Sequence, residues 1–470
     1  MTGEGRSADG TGGGERTHVV TCFLREGSRV LFVRRSDAAT TYPGRWAGVS
    51  GYVERLDGDG PVDAAAEARR EVREETGVDV GAPTRAGDPL RVDDAGRAWT
   101  VHPFLFDVPT RDVAPSDELA AAEWLHPTAT LDPDRPTVPG LWDAYERVAP
   151  TVADVAGDRE HGSATVSLLA LSVLRDRAGA LAAGRADGDA DADANAATGP
   201  DGEVRDGSAA VARIARRLRD ARPSMAAVAN RVNRAMSEAA RGGRTPAAVR
   251  DVAARVADAA VAADGGAAAR AADRLEAETE AETGPDGAPL VATLSRSGTV
   301  RAALLDARPA VLVGESRPAR EGVGVAEALA DAGLDVTLTT DAALPWLAIE
   351  RGADAVLVGA DAVLADGTVV NKAGTRALCA VAADEDVPAY AVAARDKVRP
   401  DERFHGEASD AAAVYDGDAP VAVATPTFDA TPPGLLAGVV TEAGVLDAAD
   451  VREAAASHRE AAAWDDADAA

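Results

Sequence analysis

The run AVLVGADAVLADGTVVNKAGTR, Ala355 to Arg376, decides how this chain is read. It gives an apolar strand ending in an acid, a short turn, and an Asn-Lys pair ahead of a helix. The 470 residues hold 49 lysines and arginines together, and only Lys372 and Lys397 are lysine. A composition that has nearly abolished lysine still places one here. The position therefore calls for a compact ammonium and not merely for a cation, since lysine and arginine offer different donor geometry.

Around this run, from Pro289 onward, short apolar segments alternate with helical stretches: LVATL, AVLVGE, DVTLTT, AVLVGAD and VPAYAVAA. Continuous Val, Leu and Ala strands alternating with helices predict a doubly wound parallel sheet, whose ligands bind beyond the carboxyl ends of the strands. Ser295, Ser297 and Gly298 follow the first strand, where hydroxyls and free N–H groups at a helix start suit a phosphate. Glu315, Ser316 and Arg317 follow the second, and an arginine fork grips phosphate through two hydrogen bonds. Thr340 and Asp341 end the third and Asp361 the fourth, ahead of Asn371 and Lys372. Each alone reads as a helix cap; together they predict one crevice for a phosphorylated small molecule.

Net charge is −29, spread along the whole chain, which argues against direct binding of nucleic acid. Acid-rich, lysine-poor chains resemble those of haloarchaea, where surface carboxylates keep a protein hydrated in concentrated salt. Cys22 and Cys379 offer no disulfide framework or zinc spacing, so a reducing cytoplasm is expected. No apolar run approaches the roughly 18 residues of a membrane span.

Residues 1–15 read as a disordered Gly-rich tail. Residues 16–150 open with a hairpin, HVVTCFLR and RVLFVRRS, and contain the helix PVDAAAEARREVREETG, with Pro61 suited to its first turn and Gly77 to its end. Glu71, Glu74 and Glu75 are spaced to share one face with Glu67. Carboxylates so crowded either face water or hold a divalent cation such as Mg²⁺, which also takes substrate phosphates. Strands are expected at WTVHPFLFDV and near AAEWLHP. Residues 151–288 read as an Ala-rich helical subdomain with an acidic loop at 184–207, residues 289–450 as the Rossmann-like domain, and 451–470 as an acidic helix and tail.

The string REVREETGV, Arg70 to Val78, resembles the second half of the Nudix box, and GRWAGVSGYVE resembles its lead-in, with the box glycine at Gly51. The resemblance implies a Nudix α/β/α sandwich and Mg²⁺- or Mn²⁺-dependent hydrolysis of a nucleoside diphosphate derivative. It makes Glu71, Glu74 and Glu75 metal ligands, the last two catalytic. Gly51 lies 19 residues before Arg70 where the family has 14, so five residues are inserted. The box's first glutamate falls on Val62, leaving Glu54 or Asp63 as substitute partners of Arg70.

TLSRSGTV, GESRPAREG, VGADAVLADGTVVNKAGT and FDATPP, with HGSA at 161–164 and RPSM at 222–225, carry a second resemblance. They are similar to the family uniting regulatory subunits of translation initiation factor 2B with ribose-1,5-bisphosphate and methylthioribose-1-phosphate isomerases. Members commonly pair as dimers, so a homo-oligomer is implied. In the isomerases a cysteine ends the first strand and moves a proton with the GAD aspartate. Here Ser295 takes that position, and a hydroxyl is far less acidic than a thiol. By the resemblance, Asp361 is retained as an acid/base group or a hydroxyl ligand, and Asn371 and Lys372 as sugar or phosphate contacts.

Three functional readings follow. The first is a Nudix hydrolase whose larger unit binds a sugar phosphate or nucleotide. The second is a factor 2B-like regulator that binds an initiation factor, with a degenerate Nudix unit. The third is a ribose-1,5-bisphosphate isomerase-like enzyme, which Ser295 disfavours.

Overall fold

The computed structural model describes residues 16–53, 63–94, 96–185, 207–280 and 289–465. The leader 1–15, Glu54, Pro61, most of the acidic loop 184–207 and the last five residues lie outside this description. The chain forms two compact units, Met1–Ala149 and Pro150–Ala470.

In the smaller unit, strands Thr17–Glu26 and Arg29–Arg35 form the expected hairpin, turning at Gly27 with φ +58°. Strand Arg97–Asp107 runs parallel beside the first and completes the centre of an eight-stranded sheet. Both faces of the first strand are covered, as its alternation requires. Val20, Cys22 and Leu24 pack with Ala68 and Val72 of helix Ala64–Thr76. Phe23 points the other way and meets Tyr145 edge-on at 5.4 Å, on helix Leu141–Glu146. The result is an α/β/α sandwich. The acidic helix starts with Asp63 as N-cap, accepting from the Ala66 N–H at 3.0 Å, and ends at Gly77 in the left-handed conformation.

The larger unit begins with helices, among them Ser163–Ala182, Ala226–Ala239 and Pro246–Glu280. The last is 35 residues long, and its two halves serve different cores. Val249, Val252 and Val256 pack with Leu171, Val232 and Met236 in the helical subdomain. Ala267, Ala271 and Leu275 pack on the sheet with Val291, Val311 and Leu357. The seven-stranded sheet is ordered Val336–Thr339, Ala310–Gly314, Leu290–Leu294, Ala355–Gly359, Ala389–Val392, Gly438–Thr441, Gly444–Leu446. All neighbours are parallel except the final hairpin. Chain order reverses between Leu290–Leu294 and Ala355–Gly359, which makes their carboxyl ends the switch point of the sheet.

The sequence of Ala355–Arg376 reads as a strand and a simple turn. The structure instead makes a second, three-stranded antiparallel sheet of Ala362–Val363, Val369–Lys372 and Phe428–Thr431. Asp366-Gly367 supplies its turn, Gly367 having φ +89°. Pairing with Phe428–Thr431 holds Asn371 and Lys372 in a strand and so fixes their direction.

Arg231 joins these layers. Completely buried, it donates to Asp396 at 3.0 Å, to Asp264 at 3.1 Å and to Ser167 at 2.7 Å. Those partners lie on the loop after a sheet strand, on the long helix and on Ser163–Ala182. Truncation would strand two carboxylates in the interior. Arg231→Ala is therefore expected to lower unfolding stability by about 3–5 kcal/mol, read from the denaturant midpoint.

Candidate functional site

Beyond the switch point lies a cavity of about 560 Å³ within the larger unit. Of the residues singled out in the sequence, Ser295, Ser297, Gly298, Asp361, Asn371 and Lys372 all line it. Ser295 has φ +67° and receives its place from a hydrogen bond of its N–H to Ser316 Oγ at 2.7 Å. Ser297 caps helix Gly298–Ala307, its Oγ accepting from the Val300 N–H at 3.3 Å. Gly359 leaves no room for a Cβ beside the Ser297 side chain, so that glycine lets the helix start approach the strand end.

Arg317 is not among the lining residues. Its guanidinium is exposed and donates to the Ala413 carbonyl at 3.2 Å. Asp341 accepts from the Ser316 and Arg317 N–H groups at 2.7 and 2.6 Å, so it shapes that loop and does not face a ligand. Other cations stand at the cavity where Arg317 was expected. Lys397, Arg159, Arg222, Arg296 and Arg301 line the cavity, with His161. Both lysines of the chain thus face one space, each only 4% exposed.

Lys372 Nζ donates to Glu321 Oε1 at 2.6 Å, and Lys397 Nζ to the Ala360 carbonyl at 2.7 Å. Burial pushes Lys397 below the usual lysine range, opposed by the charges of Asp264 and Asp361. Burial likewise raises the Asp361 carboxyl, opposed by Lys397 and the Ser163 hydroxyl. Ammonium and carboxyl stand close enough in a poorly solvated space to feel each other strongly. Asn371 donates to Thr375 Oγ1 at 3.0 Å, which locks its amide beside the lysine.

The helical subdomain supplies the opposite wall. Arg222 binds the Glu407 carboxylate at 3.2 Å and the Asp158 carbonyl. Asp158 accepts from the His161 ring at 2.8 Å and from the Glu160 and His161 N–H groups, each at 2.9 Å. Burial alone would raise Asp158, but these donors outweigh it and bring the carboxyl down to about 2.

In the smaller unit, Arg70 gathers the acidic face. Its guanidinium binds Glu67, Glu71 at 2.7 Å and Glu74 at 2.6 Å. Of the two partners expected for Arg70, Glu54 lies outside the described residues and Asp63 is occupied as the helix cap. Glu75 faces inward, 9% exposed, with Oε2 lacking a hydrogen-bond partner. Burial and mutual repulsion push Glu71 up to about 7 and Glu75 to about 8. A Cβ at Gly51 would overlap the Glu71 carboxyl, so the glycine lets the strand end close over the acids. Among the described residues no three His, Cys, Asp or Glu groups are arranged to hold a metal. The donor chemistry nonetheless fits a hard cation: clustered carboxylates, one with an orphaned buried oxygen. Beside them Arg35, Tyr52 and Trp99 line a small, mostly apolar pocket.

The initiation factor 2 subunit family model matches residues 161–448, well over half of the chain. The chain belongs to that family. Residues 15–147 match the NUDIX domain. Methylthioribose-1-phosphate isomerase of Pelotomaculum thermopropionicum is 33% identical over 161 residues, 32% of this chain and 44% of that protein. Ribose 1,5-bisphosphate isomerase of Haloferax volcanii is 38% identical over 143 residues, 28% of this chain and 43% of that protein. The chain spans less than half the length of these curated relatives. Translation initiation factor eIF-2B of Pyrococcus horikoshii shares the fold at 21% identity, covering 63% of this chain and 94% of that one, with a TM-score of 0.50. Among the described residues no helix is long and apolar enough to cross a membrane.

Asp158→Asn removes a carboxylate whose folded form is held ionised. The lowered value stabilises the fold above the unfolded carboxyl range and fades as pH falls through about 2. The variant should lose roughly 1–2 kcal/mol at pH 7 and clearly less at pH 3, measured by denaturant unfolding at both.

Proposed function

We propose that the larger unit binds a phosphorylated pentose in the switch-point cavity, and that the smaller unit is a Mg²⁺-dependent Nudix hydrolase of a nucleoside diphosphate derivative. One observation carries the first part: a chain with two lysines buries both against one cavity, beside a helix start at Gly298. The curated relatives are named for sugar phosphates, which suits a space of this size and charge. Lys372, Asn371, Ser295, Ser297 and the Gly298 N–H are the groups we assign to the ligand's phosphate and hydroxyls, with Asp361 facing the sugar.

In the smaller unit Glu71, Glu74 and Glu75 would hold the cation, which when bound supplies charge neutralisation at the diphosphate and a more acidic water. The chain's own part is to present those carboxylates together. Gly51 sets the strand end against Glu71, and Arg35 offsets charge near Glu75. Arg70 holds Glu67, Glu71 and Glu74 in register. Binding of an initiation factor, the regulatory reading, makes no use of a buried cavity with inward ammonium groups.

Ribose 5-phosphate and ribose 1,5-bisphosphate should raise the melting temperature of the full chain well beyond inorganic phosphate at equal concentration, since a ligand that binds only the folded form stabilises it. No shift with either sugar removes the binding proposal. Separately, a panel of nucleoside diphosphate sugars and dinucleoside polyphosphates incubated with Mg²⁺ should yield a phosphorylated product. Glu75→Gln should slow that turnover by about 100-fold or more, and a panel with no turnover removes the hydrolase proposal.

A further inference from the structure

The two lysines of the cavity stand in different company. Lys372 is held by a carboxylate, Glu321 Oε1 at 2.6 Å. Lys397 is not: its hydrogen bond goes to the backbone carbonyl of Ala360 at 2.7 Å, and among the described residues no carboxylate forms an ion pair with it. Lys397 ends the short turn Arg395–Lys397, just past strand Ala389–Val392, and reaches to the end of the neighbouring strand Ala355–Gly359. The buried Asn230 amide donates to the carbonyls of Asp396 at 2.8 Å and Val398 at 2.7 Å, one on either side of the lysine. That clamp fixes the backbone from which the side chain leaves, so Nζ is aimed at one place in the cavity wall. Burial lowers the lysine's hold on its proton against the charges of Asp264 and Asp361, and the Arg231 guanidinium works in the same direction as burial. A lysine desolvated near a second cation, with no carboxylate paired to it, is in the surroundings that make an amine nucleophilic. The groups assigned above to the ligand's phosphate and hydroxyls leave this amine over. In a cavity that holds a sugar phosphate it meets an aldehyde whenever the sugar ring opens.

We propose that the Lys397 amine captures the aldehyde of an open-chain aldose phosphate in this cavity as a reversible imine. The proposal rests on the sugar-phosphate reading given above, and it divides the ligands of that reading in two. Sugars with a free carbonyl are held covalently, and sugars whose anomeric carbon is substituted are only bound. The ammonium first gives one proton to the Asp361 carboxylate. The nitrogen lone pair then forms a bond to the aldehyde carbon while the C=O π pair moves to oxygen. Oxygen takes the proton from Asp361 and nitrogen gives its next one to that carboxylate, which leaves a neutral carbinolamine. The hydroxyl takes this proton in turn and departs as water as the nitrogen pair closes the C=N bond. One ammonium and one aldehyde become one protonated imine and one water, with Asp361 ionised as at the start. No C–H bond breaks, nothing is oxidised or reduced, and addition of water reverses the capture.

The composition of the chain makes the test clean, because its amines are the amino terminus, Lys372 and Lys397 alone. The full chain is incubated with ribose 5-phosphate and cyanoborohydride, which reduces an imine to a stable secondary amine, and the adduct is located by mass spectrometry of the digest. Calorimetry of the same sugar, without reductant, reads binding independently. Lys397 should carry at least about tenfold more adduct than Lys372 or the amino terminus. An excess of ribose 1,5-bisphosphate, which has no free aldehyde, should suppress that adduct and form none of its own. Lys397→Arg should abolish trapping within the cavity. Should that variant lose its melting transition, the position of the adduct in the wild type and its suppression by the bisphosphate carry the test. Adduct spread evenly over the three amines, adduct unchanged in a folded Lys397→Arg, or adduct at Lys397 that the bisphosphate leaves untouched overturns the proposal. Binding of ribose 5-phosphate with no adduct at Lys397 overturns it while leaving the binding reading intact. Absence of binding by both sugars overturns both.

Discussion

A buried string of charge runs from the helical subdomain to the floor of the cavity: Arg231, Asp264 and Asp396, then Lys397 and Asp361. Taking so many charges from water is expensive, and an unpaired member would be more expensive still. The arrangement holds because each group faces an opposite charge or a backbone carbonyl, as Lys397 does at Ala360. The long helix contributes Asp264 to this string and packs one half on each core. Positioning of the scaffold and tuning of the site are therefore one electrostatic problem. A change at Arg231 reaches Asp361 through Lys397.

Much of this was legible in the sequence because the signals were local. Apolar runs of strand length between helical stretches located the parallel sheet, and the switch-point rule then placed Ser295, Ser297, Asp361, Asn371 and Lys372 together. The hairpin at Thr17–Arg35 and the cap at Gly77 followed from turn chemistry. What escaped depended on contacts between distant segments. Arg317 follows a strand end as its neighbours do, but Asp341 holds its backbone so that the side chain leaves the cavity. Val369–Lys372 became the central strand of its sheet because Phe428–Thr431 lies on its far side from Ala362–Val363, though Asp366-Gly367 was a readable turn signal. Lys397 carried the same compositional signal as Lys372, as the only other lysine. Nothing local marked Glu321, whose meaning comes from an ammonium 51 positions away in sequence.

The two units pose complementary problems of charge. In the smaller one, carboxylates cluster, and the guanidinium of Arg70 stands among them. In the larger one, cations converge on the cavity, with Glu321, Asp361, Glu407 and Asp410 among them. Hydrolysis of a nucleoside diphosphate pentose releases a pentose phosphate, the class of compound proposed for the larger cavity. The chemistry of one unit's product and of the other's ligand is thus compatible.

The central claim is that two compact ammonium groups, and not merely positive charge, define the cavity's ligand. The most direct measurement is the Kd for ribose 5-phosphate of Lys372→Arg and Lys397→Arg, each confirmed as folded by its melting transition. A planar guanidinium cannot take the place of a buried ammonium at Glu321 or Ala360, so each variant should bind at least about tenfold more weakly despite its unchanged charge. Affinities within about twofold of the wild type for both would contradict the account.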